Sequence, residues 1–279
     1  MKKLTILPIP DRRTLLRSPV EERWIRRFRD DAGCETRLVC FPHAGAGASA
    51  YRTWPLGLPS NVGVLSVRYP GREDRFSDPF PSRLEALADD IADALGDLAR
   101  HRLVFFGHSM GASVAHEVAL RLQERGCPPA ALCVSGRRPP HALGGRQMIS
   151  GTDEEIIAHV MSFDASAAAV FADRGLREVV LPAIRADYRL TDDYSGGARP
   201  PLDCPVYGYV GNSDPEASPE QMRRWAETTN APFRLRVLPG GHFYLRANAT
   251  ALLTDLNDAV ISGHDGVLSD LGPGVADGQ

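Results

Sequence analysis

No apolar run in the 279-residue chain is long enough to span a bilayer; stretches such as AALCV fall far short of the roughly 20 residues a membrane helix needs. The N-terminal MKKLTILPIPDRRTLLRSP sets lysines and arginines around Pro8 and Pro10 and has no continuous apolar core, which argues against a secretory signal. A net charge of −3 carries no basic excess, so nucleic acid is not an expected partner. The five cysteines, Cys34, Cys40, Cys127, Cys133 and Cys204, are odd in number and never spaced CxxC. Neither a disulfide framework nor a zinc site is indicated, and a reducing cytoplasm is the expected location. There is no internal repeat.

What is present is the composition of a globular protein, 43% hydrophobic and 24% charged. The length permits one large α/β domain with an insertion, or two small domains. Residues 1–34 read as a loosely attached, partly disordered extension and 263–279 as a flexible, glycine-rich tail. Between them, strand-like and helix-like segments alternate. RLVCF (37–41), VGVLSVRYP (62–70), LVFF (103–106), AALCVSG (130–136), CPVYGYVG (204–211) and FRLRVLPGG (233–241) read as strands. SRLEALADDIADALGDL (82–98) has helical spacing, with Ser82 and Glu85 as a capping box. ASVAHEVALRLQERG (112–126) is a second helix, stopped by Gly126. SPEQMRRWAETT (218–229) is another, with Ser218 as N-cap, Pro219 at N1 and Gln221 at N3. From about 140 to 200 the strands stop. TDEEIIAHVMSF opens there with a Thr152–Glu155 capping box, and VVLPAIRADYRLTDDY follows with Pro182 near its start, a pattern that predicts a helical insertion. The whole predicts a mostly parallel sheet covered on both faces, with its chemistry at the carboxyl ends of the strands.

At one such end stands GHSMG. Ser109 is the centre of G-x-S-x-G, preceded by an apolar run and followed by an amphipathic helix, the context of a nucleophile elbow rather than of a structural turn serine. The helix N-terminus places backbone N–H groups beside it. A serine hydroxyl needs a base, and in this architecture the order is Ser, acid, His. His242, in LPGGHFYL just past the last strand, is the expected base. Asp214, in YVGNSDP after the preceding strand, is the only carboxylate from Pro205 to Pro215 and is the expected acid, although an Asp-Pro turn would also explain it. The oxyanion donors are expected to be the backbone N–H groups of Met110 and of Ala44, the latter in the glycine-rich FPHAGAGAS loop. Neither a metal nor a cofactor is called for.

CFPHAGAGASAYRTW, YPGRE, FFGHSMGASVA, VSGRRPP, YVGNSDP and LPGGHFYL occur in the order and spacing of the type II thioesterases, and over roughly residues 35–262 the chain resembles that family. These are free-standing α/β-hydrolases that accompany modular polyketide and nonribosomal peptide synthases. The resemblance implies an α/β-hydrolase fold with a mobile helical lid at about 140–200. It implies hydrolysis of acyl thioesters from phosphopantetheine arms, with an acyl or peptidyl carrier protein as transient partner. It maps the triad to Ser109, Asp214 and His242 and the oxyanion donors to Ala44 and Met110. The family loop usually reads H-A-G-G, where this chain has Ala46 for the second glycine.

The insertion's apolar residues, Ile156, Ile157, Val160, Met161, Phe163, Val170, Phe171, Val179, Val180 and Leu181, could wall an acyl cavity or pack the insertion onto the core. His43, Met161, Phe163 and Phe171 are the candidate substrate contacts. Arg72, Arg137 and Arg138 could meet a carrier protein's phosphate or acidic helices, or be structural. A monomer is the default expectation. A carboxylesterase, lipase or acyltransferase of the same fold remains an alternative, as does a non-catalytic binding relative.

Overall fold

The computed structural model describes residues 18–143, 151–197 and 199–261. The first seventeen residues and the predicted tail at 263–279 lie outside them. Seven strands form one sheet: β1 (Ile25–Arg27), β2 (Thr36–Phe41), β3 (Val62–Val67), β4 (Arg102–His108), β5 (Ala131–Ser135), β6 (Val206–Gly211) and β7 (Phe233–Leu238), in the order β1-β3-β2-β4-β5-β6-β7. All neighbours are parallel except β1, which runs antiparallel to β3.

Period-two alternation sends each strand's side chains to two cores. Val39, Phe41, Leu65, Phe105 and Val134 meet α2 (Leu84–Ala94) and α3 (Met110–Glu124) on one face. Leu38, Cys40, Val64, Val104 and Phe106 meet Tyr51, Trp54 and Leu252 on the other. With both faces covered, the strands read as continuous apolar runs rather than as alternating ones.

Two expectations are corrected here. Residues 18–34 are not loosely attached. A short helix, α1 (Pro19–Trp24), starts on a Ser18 side-chain cap and leads into β1, where Ile25 registers with Val67. Trp24 and Ile25 are buried, Arg75 stacks 4.0 Å over the Trp24 ring, and Asp31 accepts from Arg37 Nε at 2.7 Å inside the protein. The run looks loose in sequence because few apolar anchors sit among many arginines. The Ser82–Glu85 capping box does not form either. Arg83 is the N-cap, so Glu85 falls at N2 and cannot reach back, and its carboxylate lies 3.4 Å from Arg83 instead.

The boxes at Thr152–Glu155 and Ser218–Gln221 do form, opening α4 (Asp153–Phe163) and α7 (Pro219–Arg223). Between β5 and β6 the described residues hold α4, α5 (Ala168–Ala172) and α6 (Arg174–Asp193), with no strand among them. These helices share a small core of Ile156, Phe171, Leu181, Ile184 and Tyr188. Helix α6 begins well before the predicted start because Asp173 caps it at the Leu176 N–H, which leaves Pro182 inside the helix. After β7 come α8 (Tyr244–Ala247) and α9 (Ala249–Asp255). No helix among the described residues is long and apolar enough to cross a membrane.

Candidate active site

The site grows from the end of the central strand β4. Ser109 has φ 54 and ψ −124, one of two non-glycine residues with positive φ among those described. A non-glycine residue held there costs on the order of 1–3 kcal/mol and persists only where its surroundings enforce it. They do so here by close approach. A Cβ on Gly107 would sit 2.2 Å from the Gly111 carbonyl oxygen, and one on Gly111 would sit 2.1 Å from that of Phe41. The Ser109 N–H donates to the Ser135 carbonyl at 2.8 Å, tying the elbow to β5. Met110 opens α3, so its N–H is one of the helix's unsatisfied donors beside Ser109.

His242 follows β7 and Asp214 follows β6, both on the same edge of the sheet as Ser109. His242 Nδ1 lies 3.0 Å from each Asp214 carboxylate oxygen. The pair is almost fully buried, at 5% and 8% exposure. An ionised carboxylate only accepts, so Nδ1 carries the proton and Nε2 keeps a free lone pair on the other side of the ring. Asp214 Oδ1 is further fixed by the Glu216 N–H at 2.9 Å. Aromatic rings pack the imidazole, Phe243 at 5.2 Å and Phe163 at 5.3 Å between centroids.

Ser109, Met110, His242, His43 and Ala44 line one cavity of about 480 Å³, the size of a small-molecule site. Its outer wall comes from α4 to α6 through Val160, Phe163, Val170, Phe171, Val180 and Ile184. His43 packs against Phe243 at 5.0 Å, and burial, with Arg246 and His242 nearby, pushes its imidazole down to about 3, so it is a neutral wall. His108 is fully buried behind the elbow with Nδ1 2.9 Å from Ser135 Oγ. Met161 does not fit its expected place: it is 39% exposed and lies outside the cavity lining. On α4, Val160 and Phe163 are three apart and share a face, and Met161 projects about 100° away from Val160.

The loop bearing Ala44 is held by residues that sequence reasoning did not pair. Arg72 and Asp187 form a buried two-pronged ion pair, with Nη2 2.8 Å from Oδ1. Asp187 Oδ2 also accepts the Gly45 N–H at 2.7 Å, and Arg72 Nη1 donates to the Ala46 carbonyl at 3.2 Å. One carboxylate from α6 and one guanidinium from the YPGR turn thus clamp both ends of the dipeptide after Ala44. This corrects the surface role considered for Arg72. Gly45 supplies the loop's positive φ of 78, whereas Ala46 is not among the positive-φ residues, so an alanine is admissible there. A second clasp joins Asp164, after α4, to Arg246 of α8, which also lies 4.4 Å over the Phe243 ring.

Residues 36–260 match the family described as Thioesterase domain. A curated relative from Streptomyces griseus, named probable cadicidin biosynthesis thioesterase, is 38% identical over 238 residues, covering 85% of this chain and 66% of its own length. Thioesterase PikA5 of Streptomyces venezuelae is 38% identical over 240 residues, covering 85% of each chain. Among solved structures, the type II thioesterase BorB from the borrelidin biosynthetic cluster aligns with a TM-score of 0.76 at 37% identity, covering 84% of this chain and 96% of that one.

Proposed function

The chain belongs to the thioesterase-domain family, and on that premise we propose that it is a type II, editing thioesterase. It would act in the cytoplasm on acyl groups held on the phosphopantetheine arm of an acyl or peptidyl carrier protein, clearing aberrant ones from a polyketide or nonribosomal peptide synthase. The observation that carries the chemistry is the His242–Asp214 pair beside an enforced serine elbow, both opening on one largely apolar cavity.

In this reading His242 Nε2 takes the Ser109 proton as Oγ attacks the thioester carbonyl, and Asp214 stabilises the imidazolium. The oxyanion is held by the N–H groups of Met110 and Ala44, each worth about 2.7–4 kcal/mol in the transition state. The C–S bond then breaks, and His242 returns its proton to the pantetheine sulfur. That thiol has a pKa of about 8.5, so it leaves with less proton assistance than an alkoxide. Water, deprotonated by the same imidazole, attacks the acyl-serine and releases the carboxylic acid with the serine restored. No cofactor takes part beyond the arm that the substrate itself carries. Helices α4 to α6 serve as the lid over the acyl cavity, parting to admit the arm.

The test is single-turnover hydrolysis of an acyl carrier-protein thioester against the matched oxygen ester. The thioester is expected to be cleaved faster, and Ser109→Ala to abolish turnover while leaving the folded state intact. Equal or faster cleavage of the oxygen ester, or turnover retained in the serine variant, overturns the assignment.

A further inference from the structure

The cavity holds a cation that the hydrolytic mechanism does not use. β5 ends at Ser135, Gly136 turns the chain at φ 57, and Arg137 follows. Since the Ser135 carbonyl accepts from the Ser109 N–H at 2.8 Å, only about 8 Å of chain separates Arg137 from the elbow's anchor point. The residue is fixed at two points. Its carbonyl accepts from Trp225 Nε1 at 2.6 Å, and its Nε donates to the buried Ser113 Oγ at 3.2 Å, one turn along α3 from Ser109. That is the guanidinium's one hydrogen bond among the described residues, and it makes no ion pair with any of them. Its Nη donors are therefore uncommitted, and Arg137 lines the cavity together with Ser109, Met110, Tyr188 and Thr191. Burial depresses its pKa to about 10, with the Glu216 carboxylate, another lining residue, opposing that shift, so it stays charged at neutral pH.

A positioned cation without an ion pair among the described residues, in a cavity where Val160, Phe163, Phe171 and Ile184 also stand, favours an occupant that brings an acceptor to it. We propose that Arg137 is a specificity-determining residue that reads an oxygen function on the acyl chain, a hydroxyl, keto or carboxylate group close to the thioester carbonyl. Acyl groups so substituted are then preferred over plain alkyl chains of the same length. The inference rests on the thioesterase reading of the site. It differs from the carrier-facing role considered for this arginine, since Arg137 lines the cavity.

The experiment compares kcat/KM for butyryl, 3-hydroxybutyryl and 3-oxobutyryl thioesters on one carrier protein, in the wild type, Arg137→Met and Arg137→Lys. Hydrogen bonds to a charged group translate into a preference of about 10- to 150-fold for the oxygenated chains in the wild type. That ratio is expected to collapse in Arg137→Met and to be restored in part by Arg137→Lys. Any loss common to all three substrates cancels in the ratio, so butyryl turnover by the wild type tests the thioesterase reading separately. Ser113→Ala, which removes only the Nε anchor, gives the same readout if the methionine variant does not fold, and is expected to lower the ratio. The series is repeated on N-acetylcysteamine thioesters, which lack most of the arm. A ratio that persists there shows that Arg137 reads the acyl oxygen without help from the arm, and one that vanishes overturns the proposal. A wild type that favours butyryl, or a ratio unchanged in the variants, overturns it as well.

Discussion

Removing the Asp187 carboxylate tests whether the α6 clamp matters to chemistry or only to folding. Asp187→Leu leaves Arg72 charged, buried and without its counter-ion, and leaves the Gly45 N–H without its 2.7 Å acceptor. Breaking one partner of a buried pair costs about 3–5 kcal/mol, most of it the stranded charge. At about 2–4 °C per kcal/mol for a chain of this size, the melting midpoint should fall by roughly 6–20 °C. Arg72→Met should cost a similar amount. The double variant Arg72→Met/Asp187→Leu strands no charge, so it should be destabilised by clearly less than the sum of the two singles. The catalytic consequence is separate. If the clamp sets the Ala44 amide, loosening it removes up to one oxyanion donor, a loss of as much as about 10²–10³ in kcat measured well below the variant's midpoint. Thermal denaturation of the four proteins gives the first cycle, and thioester turnover the second. Additive destabilisation would refute the electrostatic account, and an unchanged kcat in a destabilised Asp187→Leu would reduce the clamp to a fold-stabilising contact.

Asp214→Asn keeps the side chain's shape but offers Nδ1 an amide that can hold the imidazole in the wrong tautomer; kcat should fall by about 10⁴-fold with little change in stability, and a near-normal rate would send the search to another carboxylate. His116 is fully buried with both ring nitrogens unpartnered among the described residues, its ring 5.4 Å from that of Trp225. Burial holds it down at about 4, against an ordinary 6.5. Between those values the unfolded chain binds the extra proton, so its contribution to stability is complete above pH 6.5 and is lost as pH falls toward 4, on the order of 3 kcal/mol in all. Urea denaturation at pH 7 and pH 5 should therefore show a shallower acid loss in His116→Phe than in the wild type; identical losses would exclude this histidine as an acid-labile element.

The places of Ser109, Asp214 and His242 just after β4, β6 and β7 could be read from sequence because apolar runs mark the strands and each residue follows one closely. The glycines around Ser109 were readable because neither position leaves room for a Cβ. Contacts between distant segments were not readable. Nothing local to YPGR shows that its arginine meets Asp187, 115 positions away, because a charge in a helical pattern looks the same whether it faces water or a buried partner. Likewise helical spacing shows that Val160 and Phe163 share a face but not that this face, rather than that of Met161, turns to the cavity. β1 was missed because three residues in an arginine-rich run carry no alternation of their own; pairing with β3 makes them a strand.

Strands β5 and β6 pair directly, Leu132 with Val206 through Ser135 with Tyr209. Because the pair is parallel, the roughly seventy residues between them leave at the carboxyl end of β5 and re-enter at the amino end of β6, about 10 Å along the strands and about 5 Å across the ladder. A segment with that property can be exchanged as a cassette without changing the register of any strand that presents Ser109, Asp214 or His242. Side-chain bonds from Arg137, Asp164, Asp187, Tyr194 and Arg199 bind the cassette to its host. Asp187 must find an arginine at position 72, and Arg137, at the cassette's first joint, must find Ser113. Chimeras cut after Gly136 and before Pro205 are thus not independent of the host sequence. New chain preferences can be grafted in as a block, provided that the partners at 72, 113, 117 and 246 travel with it.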